Sequence, residues 1–291
     1  MKIAVFTVST PEYGIDETVE LAKKLGLDGV EWRVSSPPPA EKPESYTFER
    51  RYWDYNLSTV DVARVDTELP AAAQKTRAAG LEVPAATTYL RMSQAPLDDI
   101  RRALSAAQKS GIPNMRTPAP GYDRSRPYDE VFAATREAIE EAIPFAKEAG
   151  VRLCFEMHMN TIIPSASAAR RLLDGLPTEQ VGVIYDPGNL VIEGFEDYRM
   201  GLEILGDYLA WVHVKNTVWT KRGDADGHPW KWEWAPLADG MADFPDVVAS
   251  LRAVGYDGWL SIEDFSNEEP TEQKLAGIVT LLRTMLAETE G

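Results

Sequence analysis

The feature that most constrains the fold is a regular alternation of short apolar segments with amphipathic ones. Residues 2–8, KIAVFTV, are apolar and β-branched enough for a buried strand, and residues 15–26 place apolar side chains at helical spacing before Gly26 ends the pattern. Residues 27–34 return to strand character. A strand, a helix and a second strand in succession predict a parallel pair joined by a right-handed crossover.

The same alternation runs through the whole chain, and eight repeats of it predict a single (β/α)8 TIM barrel of the α/β class over residues 1–291. The active site of such a barrel lies at the C-terminal ends of its strands. The predicted strands are 2–8, 27–34, 81–87, 112–120, 151–156, 181–186, 209–214 and 258–263. The predicted helices are 15–26, 59–79, 97–110, 127–149, 165–173, 197–205, 244–254 and 271–287.

Two long aromatic loops interrupt this rhythm, at about 35–57 and 216–236. The first carries four prolines and five aromatic residues and is interpreted as a loop over the C-terminal edge of the barrel, the alternative being a poorly ordered surface excursion. The second contains four tryptophans, and Trp232 is our candidate for stacking on a sugar ring. Packing, or contact with another subunit, is the alternative for any one of them. His228 in this loop is expected to be exposed and not a ligand.

Composition excludes several classes of function. The chain has 46 acidic and 30 basic residues, a formal net charge of −16, and no basic run, which argues against a nucleic-acid partner. Its single cysteine, Cys154, excludes an intramolecular disulfide, fits a reducing compartment and is expected to be an inert core residue. The apolar stretch at the N-terminus is too short for a signal peptide, and no segment approaches the roughly 18 apolar residues of a membrane span. We therefore expect a cytoplasmic protein without a membrane partner.

Four metal-competent side chains stand at the ends of successive predicted strands: Glu156, Asp186, His213 and Glu263. Adjacent strands lie about 4.8 Å apart, so these tips can converge on one ion. Three carboxylates and an imidazole suit Mn²⁺, Mg²⁺, Co²⁺ or Zn²⁺. The alternative is that these are four ordinary solvated strand-end residues. Their occurrence at four successive strand ends, and the inclusion of one of only three histidines, argue against it.

Side-chain alternation predicts what lies beneath these tips. If Glu156 faces the barrel interior, so do Cys154 and His158, and the same rule groups Ile184 with Asp186 and Trp211 with His213.

The chain resembles the sugar phosphate isomerase/epimerase family, the xylose-isomerase-like barrels. The similarity runs from KIAVFTV and GLDGVEW to SIEDF, with VHVKN and DPGN as its more specific motifs. The resemblance implies that the four tips bind one divalent ion, with Mn²⁺ preferred, and that Glu156 and Glu263 act as paired acid/base groups on a small carbohydrate. Many relatives carry a histidine three residues after the strand-six aspartate, where this chain has Asn189. Asn cannot shuttle a proton, so the ketose-epimerase mechanism does not transfer simply.

Further polar residues stand near these ends. His158 is a candidate acid/base group or substrate contact, or else a hydrogen-bonded rim histidine. Lys215 could balance the carboxylates and bind a substrate oxygen or phosphate, or form a structural ion pair. Arg116, with Asn189 and Trp232, is a candidate substrate contact, although for Arg116, Glu31 and Arg33 a rim ion pair is the simpler interpretation.

The function predicted is a divalent-metal-dependent sugar isomerase or epimerase that removes a proton next to a carbonyl through a metal-stabilised enediolate. The alternative is a lyase or dehydratase acting on a keto-inositol, a keto-sugar or a 3-keto-glycoside. A nuclease on the same barrel would need many more histidines, and a non-catalytic sugar-binding subunit is the remaining class. A homo-oligomer, dimer or tetramer, is compatible with the aromatic loop.

Overall fold

Eight parallel strands close into a barrel surrounded by helices, which confirms the predicted TIM barrel. The structure is a computed structural model that describes residues 1–44, 46–223, 227 and 229–288. The strands, in chain order, are Lys2–Phe6 (β1), Gly29–Ser35 (β2), Val60–Asp61 (β3), Ala85–Thr88 (β4), Asn114–Arg116 (β5), Arg152–Glu156 (β6), Val181–Tyr185 (β7), Leu209–Val214 (β8), Asn216–Lys221 (β9), Trp230–Ala235 (β10) and Trp259–Ile262 (β11). The barrel runs β1, β2, β4, β5, β6, β7, β8, β11 and closes because β1 pairs with both β2 and β11.

Helices follow the barrel strands as the sequence predicts, within a few residues at most boundaries. They are Ile15–Lys24 (α1), Arg51–Asp54 (α2), Val65–Ala78 (α3), Leu97–Lys109 (α4), Tyr128–Ala149 (α5), Ala166–Leu173 (α6), Pro187–Ile192 (α7), Tyr198–Leu205 (α8), Phe244–Ala253 (α9) and Thr271–Glu288 (α10). Within the described ranges, none of these helices has the length and apolarity needed to cross a membrane.

The predicted helix 59–79 was too long at its start. Val60–Asp61 pairs with β2 instead, and the Asp61 side chain accepts a hydrogen bond from the Ala63 backbone N–H. That bond turns the chain through a short 3₁₀ segment, Val62–Arg64, before α3 begins. At this boundary, the hydrogen bond from the capping side chain therefore decides where the helix begins, although the spacing of apolar residues would allow an earlier start.

The lower interior of the barrel is apolar. Ala85, Cys154, Ile184 and Trp211 pack together there, as the alternation rule predicts for the residues below the tips. Burial raises the pKa of the Cys154 thiol to about 12, so this cysteine is an inert core residue. The polar strand ends above it therefore rest on a dry, low-dielectric base.

Both aromatic loops rise from the C-terminal ends of barrel strands. The loop 35–57 contains α2, whose buried Tyr52 packs against Phe265 with ring centroids 5.0 Å apart. The segment 216–236 is largely an antiparallel hairpin of β9 and β10 and not an irregular loop. His228 lies outside the described residues.

Gly194 and Gly26 provide a matched test of close packing between helices. Both adopt positive φ, 87° and 70°, but a Cβ at Gly194 would lie 2.4 Å from the Pro164 carbonyl oxygen, whereas a Cβ at Gly26 would meet no atom within 4 Å. We expect Gly26→Ala to cost about 1 kcal/mol from backbone strain alone, and Gly194→Ala at least about 2–3 kcal/mol because overpacking adds to strain. Thermal unfolding of both variants measures the difference, and equal losses would contradict it.

Candidate metal centre

The four predicted tips meet in one buried cluster at the C-terminal ends of the strands. Glu156 ends β6, Asp186 follows β7, His213 lies in β8 and Glu263 follows β11. One ligand atom from each residue lies within 4.8 Å of the others, and the residues are 2%, 0%, 0% and 5% exposed. They are therefore not the ordinary solvated strand-end groups of the alternative interpretation.

The charges around this cluster fit a divalent cation. A fourth carboxylate, Glu31, contacts His213, while Lys215 and Arg116 are the side-chain cations that contact the tips. When all four buried carboxylates are ionised and the imidazole is neutral, as metal binding requires, these two cations leave two negative charges. Because uncompensated charge is expensive in a dry interior, a dication matches both the donor atoms and the local charge.

His213 is oriented from two sides. Its Nδ1 lies 3.3 Å from both Glu156 Oε1 and Glu263 Oε2, while its Nε2 lies 3.1 Å from Glu31 Oε1. Phe6 stacks on the imidazole with ring centroids 5.5 Å apart. In the neutral form that binds a metal, Nε2–H donates to Glu31 and Nδ1 is the nitrogen that faces the other tips, an arrangement typical of metal-binding histidines.

Glu31 lies inside the barrel and not at its rim, where the sequence placed it. It is fully buried and also accepts hydrogen bonds from Trp211 Nε1, at 3.2 Å, and from Thr87 Oγ1. The signal that could have found it is the alternation in GVEWRV, which turns Glu31 inward. Glu31 is a positioning residue for His213.

Asn189 connects two of the tips from α7. Its Nδ2 donates to Glu156 Oε1 at 3.1 Å, Asp186 Oδ2 at 2.9 Å and the Met157 carbonyl at 2.9 Å. Its backbone N–H donates to Asp186 Oδ1, which caps the helix. These bonds orient both carboxylates, and the substrate role of Asn189 stays a prediction.

Lys215 reaches into the cluster. Its Nζ lies 2.6 Å from Glu263 Oε2 and 2.8 Å from Asp186 Oδ2, and the residue is 1% exposed. Burial opposes the charged form, but the neighbouring carboxylates, Asp186 first, raise the pKa of Lys215 above its ordinary value. Lys215 is therefore a permanently charged partner of the carboxylates.

Arg116 forms a buried ion pair with Glu156, 2.6 Å between Nη2 and Oε2. Burial would raise the pKa of Glu156, yet Arg116 and then Lys215 hold it well below its ordinary value. The predicted ion pair is thus present, although in the interior and not at an exposed rim. A direct contact of Arg116 with substrate stays a prediction.

His158 lies in a narrow cleft with Arg116, Glu156 and Thr161. Its Nδ1 is 2.8 Å from the Met159 carbonyl oxygen, to which it donates, so Nε2 is left as an acceptor. Burial lowers the pKa of His158, which keeps the imidazole neutral near pH 7. Its position suits a proton acceptor beside Glu156.

Among the hairpin tryptophans, Trp234 contacts the site directly. Its ring centroid lies 5.5 Å from Lys215 Nζ and 4.9 Å from the Phe265 ring, whereas Trp232 contacts Trp234 edge to face at 5.0 Å. The sequence singled out Trp232 because alternation puts both on one face and does not tell which is nearer. Phe265, two residues after Glu263, was missed for lack of any signal beyond that same alternation.

The whole-chain comparisons agree with the motif resemblance. Residues 19–284 match the family described as xylose isomerase-like TIM barrels. An inosose dehydratase of Lactiplantibacillus plantarum is 26% identical over 194 residues, which is 63% of each chain. An inosose dehydratase of Geobacillus thermodenitrificans is 22% identical over 267 residues, 82% of this chain and 89% of that one. The chain thus spans less than two thirds of the first of these relatives.

Solved structures share the fold. A 3-keto-D-glucoside 4-epimerase from E. coli superposes with a TM-score of 0.72 at 20% identity, covering 98% of this chain and 99% of that one. The IOLI protein, solved with a zinc atom, gives a TM-score of 0.72 at 15% identity over 99% of both chains. At these sequence identities, the similarity establishes the shared barrel fold and nothing about activity.

Metal binding should strengthen as pH rises. Burial, together with the neighbouring Glu156 and Glu263 and against the opposing charge of Lys215, raises the pKa of Asp186 to about 8. The carboxylic acid must lose its proton before it can bind a cation, so affinity should fall as pH drops through 8. Calorimetric titration with Mn²⁺ at pH 6 and pH 9, in buffers of different ionisation enthalpy, measures affinity and proton release. Affinity independent of pH would contradict this assignment.

Glu31→Gln should weaken metal binding about 10- to 100-fold by removing the carboxylate that orients His213. Glu82→Gln is the matched control, because Glu82 is exposed and pairs with Lys2 at the opposite end of the barrel. The measurement is the Mn²⁺ dissociation constant. An unchanged constant in Glu31→Gln would show that His213 needs no such partner.

Proposed function

The chain belongs to the family of xylose isomerase-like TIM barrels, and on that premise we propose that it is a divalent-metal-dependent isomerase or epimerase of a sugar or sugar derivative. The observation that carries this proposal is the buried cluster of three carboxylates and one histidine with ligand atoms within 4.8 Å. The inosose dehydratases and sugar epimerases among the similar proteins support an enzyme of carbohydrate chemistry.

In this proposal Glu156 and Glu263 move the protons. They project from β6 and β11, which are separated by β7 and β8 in the barrel, and so approach the site from different sides. The carboxylate of one removes the proton next to the substrate carbonyl, and the protonated form of the other returns a proton to the opposite face. Lys215 donates a hydrogen bond to Glu263 at 2.6 Å and thereby favours the ionised form of that carboxylate.

Glu156, Asp186, His213 and Glu263 would hold the ion. When bound, a divalent ion supplies positive charge that offsets the negative charge developing on the substrate oxygens. Mn²⁺ is our preferred ion because three of the four donors are carboxylates, and Mg²⁺, Co²⁺ and Zn²⁺ fit the same donor set. Asn189 orients the Glu156 and Asp186 carboxylates by hydrogen bonds, and Glu31 orients His213.

A metal-dependent lyase is the second candidate. It would begin with the same proton removal and then expel a leaving group from a keto-inositol, keto-sugar or 3-keto-glycoside. Two observations favour it: Asn189 stands where many relatives have a histidine, and the neutral His158 beside Glu156 supplies another acid/base group. A non-catalytic sugar-binding subunit is the least favoured alternative.

The setting of the protein is also a proposal. The single cysteine, buried and unpaired, suits the reducing cytoplasm, and the net charge of −16 disfavours nucleic acid. Exposed Phe195 and Met241, 62% and 55% exposed, are apolar surface of the kind that subunit contacts cover, which supports a homodimer or homotetramer.

Hydrogen exchange at the substrate carbon tests the mechanism. The Mn²⁺-loaded protein in D₂O should incorporate deuterium into at least one member of a panel of ketoses, inososes and 3-keto-glycosides, detected by mass spectrometry. Glu156→Gln and Glu263→Gln should each slow exchange at least about 100-fold, since each removes an acid/base group. Glu272 is partly exposed, pairs with Lys24 and provides the control variant Glu272→Gln.

Three outcomes separate the candidates. Deuterium in unchanged or epimerised sugar supports the isomerase or epimerase, and a product with a new double bond or a released aglycone supports the lyase. The third outcome is no exchange with any compound of the panel, while sugars still bind to the wild type and to both glutamine variants. This result would contradict a catalytic role and support the non-catalytic sugar-binding subunit. Metal content of each variant is measured in parallel.

A further inference from the structure

Arg33 is a buried cation without a carboxylate partner. Its residue is 4% exposed, and within residues 1–44, 46–223, 227 and 229–288 no acidic oxygen lies within the 4.0 Å of an ion pair from its guanidinium nitrogens. Its Nη1 donates to the neutral Thr59 hydroxyl, and its Nε has no hydrogen-bond partner in the part of the chain that the structure describes. In a chain with 46 acidic residues, an unpaired buried guanidinium needs an explanation.

Arg33 and Arg116 lie level with each other near the C-terminal ends of the strands. Arg33 is in register with Thr87 on β4, and Thr87 is in register with Arg116 on β5. Thr87 points inward to Glu31, and residues in register on parallel strands face the same side. Both arginine side chains therefore project into the barrel, two strands apart.

Tyr89 lies between these two guanidinium groups. The Arg33 Cζ is 5.0 Å and the Arg116 Cζ is 5.3 Å from the centroid of its ring. Because Arg116 also binds Glu156 Oε2, this arrangement joins the candidate metal centre directly. Arg116 is neutralised by that pair, whereas Arg33 has no carboxylate within ion-pair distance, and among the described residues neither Nε has a hydrogen-bond partner.

A third arginine stands at the edge of the narrow cleft that contains Arg116 and His158. Arg91 lines it with Arg116, Glu156 and His158, and its Nη1 donates to the Ala119 carbonyl at 3.0 Å. No acidic partner lies within ion-pair distance of Arg91 among the described residues. Three guanidinium groups thus gather on one side of the centre, opposite in sign to the protein as a whole.

A buried guanidinium without a counter-charge is costly, and its planar donors match the oxygens of carboxylates and phosphates. We propose that Arg33, Arg116 and Tyr89, with Arg91 at the edge, form a subsite for an anionic group of the substrate. The substrate class is then a sugar acid or a sugar phosphate, whose reacting carbon lies over the metal centre. This inference rests on the proposed function for its sugar component.

Binding of small anions tests the subsite independently of catalysis. The full chain, loaded with one equivalent of Mn²⁺ and freed of excess metal, is titrated calorimetrically with inorganic phosphate and with D-glucuronate. Arg33→Gln should weaken binding of at least one of them tenfold or more, and Arg33→Lys should recover part of the loss. Arg77→Gln is the matched control, an arginine at the opposite end of the barrel that donates to the Gly111 carbonyl.

Wild-type protein that binds neither anion, or Arg33→Gln that binds both as tightly as wild type, overturns the subsite. Circular dichroism and thermal unfolding establish that Arg33→Gln is folded, and if it is not, Arg33→Lys and Arg91→Gln carry the test through the same titrations. Preference for phosphate identifies a sugar phosphate, and preference for glucuronate identifies a sugar acid.

Deuterium exchange then separates this inference from the proposed function. D-Fructose, D-fructose 6-phosphate and D-fructuronate are compared, and Arg33→Gln should raise KM for the anionic substrate tenfold or more with little change in kcat. Exchange into the neutral sugar alone, unaffected by Arg33→Gln, overturns the subsite and keeps the isomerase. Arg33-dependent anion binding without exchange into any sugar supports the subsite and counts against the isomerase.

Discussion

The structure depends on the burial of like charges at the centre of the barrel. Four carboxylates are almost completely buried there, and they would repel one another strongly without compensation. Lys215 and Arg116 supply part of the opposing charge, and Asn189 and His213 supply donors. When all four carboxylates are ionised, a cation of two charges completes the balance, so the electrostatics of the site favour a divalent ion.

The barrel holds these charged side chains at fixed positions on its strands, which keeps each carboxylate next to its hydrogen-bond and ion-pair partners. Each carboxylate of the cluster stands on or directly after a strand whose neighbours fix its height, and the apolar layer of Ile184 and Trp211 below prevents water from entering. The same dry layer strengthens every hydrogen bond at the site. Orientation is therefore supplied by the strands and by Glu31 and Asn189, and it does not depend on the mobile ends of loops.

Much of the site could be predicted because its ligands end apolar runs, and strand ends are where a parallel barrel collects them. How deeply a side chain lies in the barrel, and what it contacts there, could not be predicted. Alternation turned Glu31 and Arg33 inward. However, His213, which Glu31 contacts, lies 182 residues away in the sequence. Whether a carboxylate stands near Arg33 depends on the side chains of all the neighbouring strands. The same limit applied to Trp232 and Trp234, because the pairing of β10 with β9 decides which of the two lies nearer to Lys215.

The aromatic contacts above Lys215 join three separate parts of the chain. Phe265 packs against Tyr52 and Trp53 from the first loop and against Trp234 from the hairpin, with centroids 4.8 to 5.0 Å apart. Lys215 Nζ lies 5.5 Å from the Trp234 ring centroid and 5.6 Å from that of Phe265. Because each ring is supported by its neighbours, a substitution in the first loop or in the hairpin changes the surroundings of the ammonium group that pairs with Asp186 and Glu263. Parts of the chain that are distant from the metal-binding residues in sequence therefore influence the charge balance at the centre.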